Sequence, residues 1–320
     1  MLKSAKWYKN LRLPLIAAPM FLVSGTDLVI NACKQGIVGT FPALNARSEA
    51  ILMEWLAKIN TDLSSHQPRP VAPYGVNLIV HKTNKRLEGN LRCIVGHKVP
   101  IVITSLGAVK DIVSAVHDYG GIVLHDVTNV VHARKAIGAG VDGLIAVCSG
   151  AGGHSGEFSP FALIPQLRSE FDGIICLAGS LSDGRSVLAA QALGADMAYM
   201  GTRFIATKES MASQAYKQMI LNSSVGPPPS FLPTVYTNKI SGVHANFLRE
   251  SLRKAGLDPD DPRGANLGIE DFSKINENKA WRDIWSAGHG CIVVKDIPSV
   301  EDLVSRMHCE YEAAKTQLIN

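Results

Sequence analysis

Eight short apolar runs, each followed by a segment of helical length, organise the first two-thirds of this chain. They are Leu15–Ala18, Ile37–Phe41, Tyr74–Ile79, Ile101–Leu106, Ile122–Asp126, Gly143–Cys148, Gly173–Ala178 and Met197–Gly201. Most lack the polar–apolar alternation of a half-exposed strand, which is the pattern of parallel strands covered on the outside by helices. Two joints repeat one design: in Ala136–Asp142 and Gln191–Asp196 a helix runs out at glycine and an acid opens the next strand. The alternation predicts an α/β fold, a (β/α)8 TIM barrel, with a C-terminal helical cap inserted after strand 8.

The beat stops near Ile220. Residues 226–233 (GPPPSFLP) suit an extended connector, because proline cannot occupy a helix interior. Ala245–Ala255 and Lys279–Ser286 read as helices flanking a polar loop. Ser299-Val-Glu-Asp302 resembles a capping box opening a terminal helix to about Gln317. The division expected is a barrel over 1–220, a helical cap at the barrel mouth over 221–290, and a segment with a helix returning to the barrel over 291–320.

At 46% hydrophobic and 19% charged residues, the chain is globular rather than disordered. The net charge of +4 is dispersed, and the densest basic run, Lys82–Arg92, has no aromatic interleaving. It reads as a solvated helix face, which argues against nucleic-acid binding. The cysteines form no CxxC pair, and Cys148 and Cys176 sit in apolar runs as buried thiols do. That pattern fits a reducing cytoplasm. Pro14 and Pro19 break the run after the N-terminal lysines, against an export signal, and no stretch reaches the ~18 apolar residues of a membrane span. A homodimer is compatible with all of this.

In a barrel of this kind the strand ends carry the chemistry. Leu177-Ala178-Gly179-Ser180 and Met200-Gly201-Thr202 end consecutive strands on a glycine beside a hydroxyl. Strands seven and eight of such barrels bind phosphate through backbone N–H groups, to which Ser180 and Thr202 add hydroxyls. Two ordinary turns are the competing reading of this pair. Ala17-Ala18-Pro19-Met20 ends the first strand in a turn suited to lie against a flat ring, or is a simple terminator. Asn77, a lone amide in an apolar strand, can meet a heteroaromatic edge or make a barrel hydrogen bond. The sixth strand runs into Ser149-Gly-Ala-Gly-Gly-His-Ser-Gly156, where Gly152 and Gly153 let the loop fold over a planar cofactor and leave His154 facing substrate as base or anion partner. No HxH or HExxH spacing supports a metal site, and no nucleophile elbow or P-loop is present.

Together, AAPM at 17–20, AGGHSG at 151–156, LAGSLSDGR at 177–185 and LGADMAYMGTRF at 193–204 resemble the nitronate monooxygenase family, formerly called 2-nitropropane dioxygenases. The resemblance covers roughly residues 13–210 and, more loosely, Ser286-Ala-Gly-His-Gly290. It implies FMN as cofactor, with Ala18, Pro19 and Met20 against the ring, Asn77 at its edge, and Ala178, Gly179, Ser180, Gly201 and Thr202 around the phosphate. It implies His154 as the active-site histidine and oxidation of an alkyl nitronate by O2 to a carbonyl compound and nitrite. Two positions depart from the family pattern. Asp126 stands where many relatives have lysine and so suits a ribityl hydroxyl or a backbone amide; His289 stands where glutamine is common and would alter polarity near substrate.

Other chemistries fit part of this pattern. A flavin barrel can instead be an NAD(P)H-linked enoyl-acyl-carrier-protein or quinone reductase, because fold and cofactor do not fix the reaction. A synthase or isomerase could hold a sugar phosphate at Gly179 and Gly201 without any flavin. A purely structural role suits the glycine-framed histidine least.

Overall fold

A computed structural model describes residues 10–66, 71–107, 110–223, 232–260 and 279–319 of the chain. Strands β1 (Leu15–Ala17), β2 (Val38–Pro42), β3 (Tyr74–Ile79), β4 (Ile101–Ser105), β5 (Ile122–Val127) and β6 (Gly143–Val147) pair in parallel in chain order. A two-residue strand, β7 (Gly153–His154), leaves the barrel. β8 (Ile174–Ala178) and β9 (Met197–Met200) then close it, with Ile16 of β1 in register with Tyr199 of β9. The closed eight-stranded parallel barrel is the TIM architecture read from the sequence.

The unalternating strands are explained by two apolar surroundings. Ile16, Val38, Ile103, Leu124, Ile145 and Met197 fill the barrel interior, while Leu15, Val76, Val102, Val123, Leu144 and Ile175 pack outward against the helices. Each such fully buried side chain contributes about 1.5–3 kcal/mol. The repeated joint has a specific geometry. Gly140 and Gly194 take φ of +88° and +104°, which end the helices in the left-handed conformation. The Asp142 N–H donates to Val123 O at 2.9 Å, and its Oδ2 accepts from Val123 N at 2.7 Å. Asp196 repeats this with Ile175, at 2.7 and 2.9 Å. Each acid thus staples its strand to the preceding one at the end away from the site.

Beyond the barrel, the region expected to be a helical cap contains sheet. Ala245–Leu248, read as the start of a helix, is strand β11, antiparallel to both β10 (Thr234–Thr237) and β7. Helix begins only at Arg249 and runs to Lys254. Local sequence favours helix throughout, and cross-strand pairing overrides it. Lys279–Arg282 is helical, but the chain then turns at Asp283 and bends at Ile284, and Ser286 makes an isolated bridge to Phe247. Of the connector expected over 226–233, residues 226–231 lie outside the described residues, as do the N-terminal lysines and most of the polar loop. The terminal helix runs Val300–Ile319; Ser299 Oγ caps it by accepting from Asp302 N at 3.1 Å. The basic run spans a turn and the first part of helix Leu87–Gly96.

Candidate active site

A cavity of about 820 Å³ opens at the carboxyl ends of the barrel strands. Ala18, Pro19, Met20, Asn77, Asp126 and Ala178 line it, as do Gly152, Gly153, His154, Gly179, Ser180, Gly201 and Thr202. The structure thus brings together residues spread over most of the sequence. His289 is the exception. Its backbone N–H donates to Gly150 O at 2.9 Å, and its ring packs behind the Gly150 turn, outside the cavity wall.

The turn after β1 is held from beneath. Asn45 Nδ2 donates to Met20 O at 3.0 Å and Ser24 O at 2.8 Å, while Asn45 Oδ1 accepts from Leu22 N at 2.9 Å. Leu22, Leu106 and Ser180, all on the cavity wall, hold φ near +60°, a strained conformation for residues other than glycine. These turns are therefore fixed by their surroundings rather than by their own preference.

After β8 and β9, the backbone N–H groups of Gly179, Ser180, Gly201 and Thr202 make no hydrogen bond among the described residues. Four unengaged donors on a cavity wall form a cradle for an anion such as a phosphate. Thr202 Oγ1 accepts from Gly288 N at 2.8 Å, which ties the tail loop to this cradle and leaves the hydroxyl proton free to donate. A Cβ on Gly152 would lie 2.6 Å from Gly288 N, so the glycine loop and tail loop meet closer than side chains allow.

His154 sits on β7 rather than in an open loop. Its backbone pairs with Ala245, and its imidazole meets Trp281 edge to face at 5.5 Å. Burial lowers its pKa from 6.5 to about 4, so the ring is neutral near pH 7. It can act as a base or a neutral donor, and not as the cation that the sequence left open. The glycine loop before it is pinned by the far segments. Gly153 N donates to Ser286 Oγ at 2.6 Å, and Asn246 Nδ2 donates to Ala151 O at 2.8 Å. Tyr216 donates its hydroxyl to Ser286 O and stacks on Trp285 at 4.9 Å.

On the third to fifth strands, Asn77 does make the barrel hydrogen bonds, through Nδ2 to Ile103 O at 3.2 Å and Ser105 Oγ at 2.7 Å. Its Oδ1 has no partner among the described residues and is free for a ligand. Ser105 Oγ donates to Asp126 Oδ2 at 2.5 Å, and the second Asp126 oxygen is buried without a partner. His125 pairs through Nδ1 with Thr104 Oγ1 at 2.7 Å, and burial lowers its pKa to about 4. Ser105, Asn45, Asn246, Ser286, Tyr216, Trp281 and Trp285 were not singled out individually by sequence. Only the loose match at Ser286–Gly290 hinted at this part of the site.

A flavin mononucleotide fits this donor set. The cradle suits its phosphate, the Ala18–Met20 turn offers an apolar wall, and the free Oδ1 of Asn77 and the carboxylate of Asp126 stand on the cavity wall as acceptors for its ring N–H or sugar hydroxyls.

The family model described as nitronate monooxygenase matches residues 52–310. A nitronate monooxygenase of Paraburkholderia phytofirmans is 29% identical over 225 residues, a match covering 65% of this chain and 59% of that relative's length. The structure of FabK from Thermotoga maritima superposes with a TM-score of 0.79 at 23% identity, covering 99% of this chain and 98% of that one. Nitroalkane oxidase from Streptomyces ansochromogenes gives 0.79 at 22% identity, covering 98% and 100%. The two structural likenesses show a shared fold.

Proposed function

The chain belongs to the nitronate monooxygenase family and is an oxidoreductase, and from that premise we propose that it uses FMN and O2 to convert alkyl nitronates to carbonyl compounds and nitrite. The observation that carries this reading is one cavity that joins an anion cradle at Gly179–Ser180 and Gly201–Thr202 to a neutral, enclosed histidine. FMN, when bound, supplies the electron acceptor for the nitronate and the centre that O2 reoxidises.

The protein's own residues do the rest. Gly179, Ser180, Gly201 and Thr202 hold the phosphate, and Ala18, Pro19 and Met20 wall the ring. Asn77 and Asp126 offer acceptors to its edge and side chain, with Gly152, Gly153 and Ala178 allowing close approach. His154, neutral and held by β11 and Trp281, donates one N–H to a nitronate oxygen. Its free ring nitrogen takes the proton when a neutral nitroalkane enters instead. The aromatic cover of Trp281, Trp285 and Tyr216 restricts water at the reacting carbon.

Residues 1–220 form the FMN barrel in this proposal, 221–290 its cap, and 291–320 the returning segment. The six free cysteines, five of them buried, support a cytoplasmic setting. Among the described residues no helix is long and apolar enough to cross a membrane. The test is nitronate turnover by wild type and His154→Ala, both loaded with FMN. Equal flavin content with turnover reduced ~10²–10⁴-fold supports the assignment; equal turnover refutes it.

A further inference from the structure

A hydrogen-bonded line crosses the cavity wall from β3 through β4 to β5. Asn77 Nδ2 donates to Ser105 Oγ at 2.7 Å, and Ser105 Oγ donates to Asp126 Oδ2 at 2.5 Å. The direction is fixed by chemistry. An amide –NH2 cannot accept, so the single proton of Ser105 goes to Asp126. The line ends on a carboxyl whose Oδ1 is buried and unpartnered, and all three residues line the cavity.

No ion pair forms with Asp126 among the described residues. Tyr199 on β9 and Cys176 on β8 feel its charge, and burial keeps both protonated. His125 beside it is neutral near pH 7, and the exposed Lys135 and His132 line the same cavity without hydrogen-bonding to it. Burial outweighs the Ser105 bond and raises the carboxyl to about 6. A carboxylate enclosed without a cation is costly.

We infer that Asp126 tunes the redox step: held by Asn77 and Ser105, its carboxylate opposes electron gain by a bound flavin and takes up one proton when that gain occurs. The inference rests on the flavin reading. A negative charge fixed near the ring disfavours added electrons in proportion to proximity and low dielectric. With dithionite as electron donor, the flavin is reduced, and one proton from solvent bonds to Asp126. Reoxidation by O2 returns that proton to solvent.

The experiment measures the midpoint potential of the FMN-loaded protein from pH 5 to 8.5, for wild type, Asp126→Asn and Ser105→Ala. The Asn variant has the higher potential at pH 8, and the gap closes toward pH 5, where the wild-type carboxyl is already protonated. Ser105→Ala keeps the carboxylate and moves the pH at which its own potential curve changes slope above that of wild type, because the bond that favours the charged form is gone; this comparison with wild type decides the matter should Asp126→Asn not fold. Wild-type and variant curves that coincide at every pH in a yellow protein overturn the inference alone. A protein that takes up no FMN overturns the flavin reading and the inference with it.

Discussion

The imidazole of His154 meets the indole of Trp281 edge to face, with ring centroids 5.5 Å apart and planes at 83°. This contact joins the barrel's glycine loop to a segment more than a hundred residues later, and it helps enclose the histidine. The neutral state of His154 therefore depends on Trp281. A histidine with a folded pKa of about 4 and an unfolded value near 6.5 contributes stability fully above 6.5, lost as pH falls toward 4. Titration of labelled histidine followed by NMR shows His154 with a midpoint near 4 in wild type and closer to 6.5 in Trp281→Ala. A wild-type midpoint at 6.5 contradicts the enclosure.

Ser286 holds the same loop by two bonds, accepting from Gly153 N at 2.6 Å and donating to Asn246 O at 2.5 Å. Ser286→Ala leaves a backbone donor and acceptor unpaired, at a cost on the order of 1–3 kcal/mol. Thermal unfolding reads that loss, and FMN fluorescence reads an accompanying weaker affinity. Unchanged values in both assays would show that the loop is held elsewhere.

Gly152 of the glycine loop and Gly201 of the cradle separate packing from ligand binding. In Gly152→Ala the new Cβ meets backbone at 2.6 Å, so the tail loop shifts and both stability and FMN binding fall. In Gly201→Ala it meets only Ala18 Cβ and Met20 at 3.6 Å, so the unliganded protein melts as wild type does while FMN binding drops. Melting curves with and without FMN distinguish the two. A Gly201→Ala protein that binds FMN normally removes that residue from the phosphate site.

Asp196 acts at the far end of the barrel. Its Oδ2 accepts from Ile175 N at 2.9 Å and also meets Arg168. Asp196→Ala lowers stability by roughly 1–3 kcal/mol through the unpaired amide, with kcat and KM unchanged, because this face of a TIM barrel serves stability. Urea unfolding alongside steady-state kinetics checks both halves.

The eight barrel strands were legible because most are apolar on two faces and of strand length, a pattern that half-exposed strands do not produce. The acids at 142 and 196 marked strand starts because a buried strand can take an acid only where the backbone satisfies it. The cradle residues Gly179, Ser180, Gly201 and Thr202 were legible from glycines at strand ends, whereas much of the remaining cavity lining, Ser105 and Leu106 among it, was not. The small sheet was not. β7 has two residues and no periodicity, and Ala245–Leu248 runs straight into a true helix at Arg249, so local pattern read both as one. Trp281, Trp285 and Tyr216 were hidden for another reason: an isolated aromatic carries no sign of which distant loop it covers. His289, placed near substrate by its motif, has its ring against Gly150.

Oxygen uptake and nitrite release measured together with propyl-2-nitronate, on the yellow purified protein, test the central claim most directly. The account predicts that both proceed together and without NAD(P)H, and that both collapse in His154→Ala. A flavoprotein inert to the nitronate that instead oxidises NADH or NADPH contradicts it and assigns the same cavity to a reductase.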